Sequence, residues 1–202
     1  MQRKRVSAEQ DTLNDLVPKK RMRLCSDNYK KPYEYVTALF QEAGFSKEEI
    51  IRRARLSHIR PTQTMIEAYT MEVSSAVRTG DLDTLRKLHK SGANLDCCNR
   101  FGDSLVHIAC RLGHTSIVKF LINEVKASAN VVDDLDRTAL HDACWSSSLD
   151  FEIIEIMVRA APENLLWPDK RGHTAFDYAR QSDWTKWMTF LTKKTMLLML
   201  DE

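Results

Sequence analysis

No stretch of this sequence approaches the roughly 18 consecutive apolar residues that can span a bilayer. Its most compact apolar run, MLLML at Met196–Leu200, is far too short, so no membrane association is expected. The basic start MQRKR leads into no apolar segment, and a secretory signal is therefore not expected either. Templates of catalysis are also missing: there is no Gly-rich loop opening a helix with a following lysine, no nucleophile elbow and no paired zinc-ligand helix. Cysteine is sparse and odd in number, five in 202 residues. Without an export signal, those thiols are expected to be reduced inside a cell.

What is present is an ordinary globular composition, 43% hydrophobic and 8% aromatic, with charge unevenly placed. Residues 1–31 hold nine Lys or Arg against four Asp or Glu, a net of +5, so with +2 overall the rest carries −3. A body of that sign does not suit a phosphate-tracking surface, and nucleic acid could be met only through the basic arm. Residues 1–28 are polar and poor in aromatics and read as a flexible arm. Lys4 and Arg5, then Lys19, Lys20, Arg21 and Arg23 within VPKKRMR, resemble a nuclear-localisation signal read by an acidic import carrier. A solvating or nonspecifically sticky tail is the competing reading.

Two His/Cys pairs in register, HIAC at His107–Cys110 and HDAC at His141–Cys144, raise the possibility of a tetrahedral zinc site. Their surroundings recur as well. GDSLVHIAC from Gly102, DRTALHDAC from Asp136 and GHTAFDYAR from Gly172 share a small hydroxyl, an apolar pair, a polar residue and an alanine. The spacings, 34 residues from His107 to His141 and 36 from His141 to Asp177, mark a repeat array. Stacked repeats are related by translation, so equivalent side chains do not converge on an ion, and the third copy carries Asp177 and Arg180 instead of ligands. Packing is the favoured reading. Ser104, Thr138 and Thr174 stand as helix N-caps with His107, His141 and Asp177 three residues on. The caps make a Ser/His nucleophile unnecessary, and Cys110 and Cys144 suit small buried positions. Cys97 and Cys98, adjacent in a predicted loop, read as free thiols beside a turn, with oxidation or metal binding as the alternative.

These residues resemble the ankyrin repeat, whose pattern G-x-T-P-L-H-x-A they match, and the likeness extends over about residues 68–200. GHTSIVKFLI at Gly113–Ile122 is similar to the family's outer helix. GDLDTLRKLHKSGANLD from Gly80 is an earlier copy whose own first helix lacks the histidine motif, as a terminal repeat can. The resemblance implies an all-α ankyrin-repeat solenoid of about four repeats that binds another protein, without naming it. Departures are Leu105, Ala139 and Ala175 in place of the proline, and Asp136 where Gly102 and Gly172 tolerate positive φ, which makes that repeat strained. WSSSLDF at Trp145–Phe151 adds about two residues between helices.

The expected division is 1–28 arm, 29–66 helical N-terminal cap, and a repeat domain of 67–98, 99–132, 133–168 and 169–202. Within the cap, Tyr33–Leu56 reads as two short helices with a Ser46/Glu49 capping pair. Met65, Ile66, Tyr69, Val73, Ala76 and Val77 read as one helical stripe, and Trp184, Trp187, Met188, Phe190 and Leu191 as the last outer helix, which Leu197, Leu198 and Leu200 continue. The expected function is an adaptor binding an unidentified protein, not an enzyme, without cofactor or metal, in nucleus or cytoplasm. A nucleic-acid-associated regulator using the arm is the alternative. In this register Arg100 and Phe101, Asp134 and Leu135, and Lys170 and Arg171 stand at loop tips, while Ile108, Arg111, Asp142, Trp145 and Tyr178 face outward from inner helices. Trp145 is the candidate anchor; its competing role is to pack beneath the SSSLD loop.

Overall fold

The computed structural model describes residues 31–42, 44 and 46–198. The basic arm, with all six residues of the import motif, lies outside the described residues, as does Leu200. Helices α1 (Pro32–Glu42), α2 (Lys47–Ser57) and α3 (Gln63–Ala68) precede the array. The array consists of α4 (Met71–Thr79) with α5 (Leu82–Lys90), α6 (Leu105–Leu112) with α7 (Thr115–Lys119), and α8 (Ala139–Trp145) with α9 (Phe151–Ala160). A wider turn at Phe120–Val125 continues α7, and α10 (Trp184–Leu198) closes the chain. Inner helices stack in sequence, α4 on α6 and α6 on α8, so each is covered by its neighbours and by its own outer helix. Among the described residues extended pairing is confined to isolated bridges. This is the all-α solenoid expected of the repeats.

The caps explain why the inner helices start where they do. The Ser104 hydroxyl accepts from the His107 backbone N–H, and Ser104 N–H donates back to His107 Nδ1 at 3.3 Å. Thr138 and His141 repeat this at 3.1 Å, and Asp177 Oδ2 accepts from Thr174 N–H at 2.8 Å. Asp136 adopts φ 62° where Gly102 and Gly172 take 84°, the positive-φ position that its place in the repeat demands.

Three expectations are corrected. The stripe from Met65 to Val77 is not one helix: Tyr69 leaves helical geometry and Thr70 starts a new one, its hydroxyl accepting from Val73 N–H at 3.3 Å. Met65 then joins a small cluster with Cys98 and Val131, whereas Val73, Ala76 and Val77 enter the main core. A capping threonine thus splits an apolar period that runs through it.

The helical cap also sits at the other end of the array. Helix α1 packs on α10 and on the short turn Ala175–Tyr178, and α2 packs on the turn Pro162–Leu166. From there residues 57–66 run back toward the first repeat as a strap. His58 Nε2 meets Asn164 Oδ1 at 2.7 Å, Ile59 bridges to Val131, Arg60 pairs with Asp136 at 2.5 Å, and the Met65 carbonyl accepts from Cys98 N–H. The strap crosses the inter-repeat loops in reverse order, and its direction is set by these separate contacts rather than by an apolar period.

The last repeat is abbreviated. Ala175–Tyr178 forms only a short 3-10 turn, because Ala179 is extended at ψ 121° and its carbonyl accepts from the Trp184 indole at 3.0 Å. Helix α10 reaches Leu198 as expected, with Trp187 and Leu191 buried. Trp187 is fully buried against Phe151 at 5.0 Å and Phe176 at 5.6 Å, so this end has an aromatic core.

Candidate partner-binding surface

The loop tips are built by one device used three times. Asn99 Oδ1 accepts from the N–H groups of Phe101 and Asp103, Asp133 Oδ1 from Leu135 and Arg137, and Asp169 Oδ1 from Arg171 and His173. Such side-chain turns hold the backbone without a regular ladder. The tips are then joined to one another: Asp134 N–H donates to the Phe101 carbonyl at 2.7 Å and Lys170 N–H to the Leu135 carbonyl at 2.9 Å. Behind them, His107 Nε2 faces the Arg137 carbonyl at 3.2 Å and His141 Nε2 the His173 carbonyl at 3.3 Å. Each histidine therefore ties its own cap to the next repeat, with both ring nitrogens engaged. Burial holds the His141 ring far below its usual titration, to about 4. Cys97, Cys98, Cys110 and Cys144 are free and buried; burial pushes Cys97 up to about 12 and Cys98 up to about 11, which makes them poor nucleophiles and ligands.

Among the expected surface residues, the structure gathers Leu135, Trp145, Lys170, Arg171 and Tyr178 around a cavity of about 250 Å³, together with Arg137 and Asp169. Trp145 is 55% exposed, so it does not pack beneath the following loop. That loop turns the other way: the Ser146 hydroxyl donates to the Arg111 carbonyl at 3.0 Å and accepts from Ser148 N–H. The Trp145 ring instead meets Tyr178 edge-on at 5.7 Å, and the Tyr178 hydroxyl donates to Asp169 at 2.5 Å. Arg100 and Phe101 occupy the neighbouring tip, exposed, with the guanidinium 4.7 Å from the ring centroid. Asp134 is exposed beside them.

Two expected outward-facing residues are corrected. Ile108 is 1% exposed and belongs to the main core. Asp142 is 3% exposed and lies under Arg111, which bridges it at 2.7 Å and Asp103 at 2.6 Å. An inner helix flanked by two others leaves solvent access only toward its C-terminal end, where Arg111 and Trp145 stand. Arg137 and Asp169 were missed, although the in-register series Asn99, Asp133, Asp169 carried the signal.

Comparison with known proteins agrees with this geometry. A family model described as "Ankyrin repeats (3 copies)" matches residues 73–164. Over those residues the chain carries ankyrin repeats. It is 46% identical over 52 residues, 26% of its length, to cyclin-dependent kinase 4 inhibitor B of Rattus norvegicus, of which that stretch covers 40%. It is 34% identical over 71 residues, 35% of its length, to putative glutaminase 2 of Caenorhabditis elegans, and 29% identical over 128 residues, 62% of its length, to diacylglycerol kinase iota of Mus musculus. The match covers 12% of each of those two proteins, so the chain spans far less than two thirds of these relatives. Ankyrin repeats of this kind form a protein–protein interaction module. No helix among the described residues is long and apolar enough to cross a membrane.

Proposed function

We propose that this ankyrin-repeat protein is an adaptor that holds a partner protein on the surface where Trp145 and Tyr178 meet. The supporting observation is the large aromatic ring of Trp145, more than half exposed, at the wall of a cavity whose loops are cross-linked and rigid. Exposed aromatics among arginines on a rigid frame are the composition of interface anchors. Phe101, Leu135, Arg100, Arg111, Asp134, Lys170 and Arg171 extend the same surface as its rim, while Ile108 and Asp142 support it from beneath.

The test is quantitative affinity purification from cells with the full chain and with a triple variant, Phe101→Ala, Trp145→Ala and Tyr178→Ala. Partners should be retained by the first and lost by the second while circular dichroism is unchanged. Equal recovery with the folded triple variant would remove this surface from the function. The basic clusters Lys4, Arg5, Lys19, Lys20, Arg21 and Arg23 support a second element of the proposal, import into the nucleus through an acidic carrier. A fluorescent fusion of residues 1–31 should concentrate in nuclei; even distribution would refute it.

A further inference from the structure

We propose that the cavity between Trp145, Tyr178 and the last loop tip receives an acidic peptide segment that inserts one large apolar side chain. The inference rests on the partner-binding reading above and adds the chemistry of what is bound.

The charge around the cavity carries it. Lys170, Arg171 and Arg180 are exposed, and among the described residues none has a carboxylate within ion-pair distance. Lys170 Nζ donates to the Asp134 carbonyl and Arg180 donates to the Trp145 carbonyl at 3.4 Å, contacts that aim both cations along the rim without neutralising them. Arg137 in the wall is already paired with Asp133 at 2.6 Å. The one carboxylate lining the cavity, Asp169, is saturated by the N–H groups of Arg171 and His173 and by the Tyr178 hydroxyl. The rim thus presents Lys170 and Arg171, with Arg180 beside them, none in an ion pair, whereas Asp169, the lining anion among the described residues, is occupied. This is the reverse of the body's net charge of −3, so the excess is local.

Size and polarity define the rest of the occupant. A volume of about 250 Å³ falls below the ~300–1,000 Å³ of sites for drug-sized molecules and suits a single side chain. Its walls offer Leu135, the Trp145 ring and the Tyr178 ring to an apolar group. Carboxylates before and after that group would then reach Arg171 and Lys170 on one side and Arg180 on the other, in charge-assisted hydrogen bonds. A nucleic acid fits less well, because phosphates need a continuous basic track and Asp134 and Asp169 interrupt this one.

The experiment uses the immobilised full chain and a bead-displayed library of random 12-residue peptides. Selected sequences should carry net negative charge with one large apolar residue flanked by Asp or Glu. A fluorescein-labelled copy of the most enriched sequence should lose at least 10-fold in affinity with Lys170→Glu/Arg171→Glu and about 30-fold with Trp145→Ala, each variant folded by circular dichroism. Raising salt from 50 to 500 mM should weaken the wild-type complex several-fold. Neutral or basic selected peptides that still depend on Trp145 would overturn the acidic assignment and leave the binding surface standing. Peptides indifferent to both Trp145 and Tyr178, or no enrichment at all, would overturn both readings. A labelled 20-nucleotide single strand that displaces the selected peptide, and itself requires Trp145, would assign the cavity to nucleic acid and also sink the proposal.

Discussion

Lowering the pH from 7 to 5 should unfold this protein more readily, in large part through the His141 imidazole, and His141→Gln should remove that part of the sensitivity. Thr138 N–H donates to His141 Nδ1, so the ring's proton sits on Nε2, which faces the His173 carbonyl. A second proton on Nδ1 would set two donors against each other in a dry site. Desolvation by burial is the main cause of the fall from 6.5 to about 4, outweighing the His173 carbonyl and Asp169, which act the other way. Below pH 6.5 the unfolded chain therefore binds a proton that the folded chain refuses. The stability due to the neutral ring is whole above that pH and drains as pH falls toward about 4. A shift of that size represents about 3 kcal/mol in full, of which about 2 kcal/mol disappears between pH 7 and pH 5. His58 is lowered too, first by burial, and adds to the acid sensitivity, but it is common to both proteins and cancels in their difference. Glutamine at 141 should cost about 1–3 kcal/mol at pH 7 through the weakened cap and inter-repeat bond. Urea unfolding of both proteins at the two pH values measures the difference directly. Equal losses, within about 0.5 kcal/mol, would show that His141 is not held neutral by the fold and would refute the argument.

Four other outcomes are expected. Trp187→Ala should cost about 3–5 kcal/mol, because a fully buried ring leaves a cavity among Phe151, Phe176 and Phe190, while Trp145→Ala should change stability by less than about 1 kcal/mol; thermal melts compare them. Gly102→Ala should destabilise far more than Gly172→Ala although both have φ 84°, since a Cβ at 102 would meet the Val132 carbonyl oxygen at 2.6 Å and Asp133 Cα at 2.8 Å, and at 172 it meets nothing within 4 Å. Met65→Ala should cost about 2–5 kcal/mol and speed proteolysis in residues 57–66, because it removes the strap's apolar attachment to Cys98 and Val131; unchanged cleavage would detach the strap from stability. Cys97, Cys98, Cys110 and Cys144 should react with a thiol reagent only on unfolding, which mass spectrometry of alkylated peptides resolves residue by residue.

Much of the proposed binding surface was legible as positions in the chain. Arg100, Phe101, Leu135, Lys170 and Arg171 fall at tips because the repeat period places them there, and Trp145 and Tyr178 follow from the same register. Exposure was not legible for Ile108 and Asp142, whose burial depends on neighbouring helices about 30 residues away in sequence. Arg137 and Asp169 escaped notice because their roles are to pair with Asp133 and to accept from a tip and from Tyr178, contacts that become visible only when the loops are folded.

The sequence by itself determined the repeat, the caps at Ser104, Thr138 and Thr174, and the positive-φ position at Asp136, since each depends on groups within about four residues and on a period that repeats them. Only the tertiary structure decided that α1 closes the far end of the array and that the strap runs backward through His58, Ile59 and Arg60. Those outcomes are set by single contacts between distant segments, Asn164 with His58 and Val131 with Ile59 among them, and no local period encodes which distant loop a short polar segment will meet.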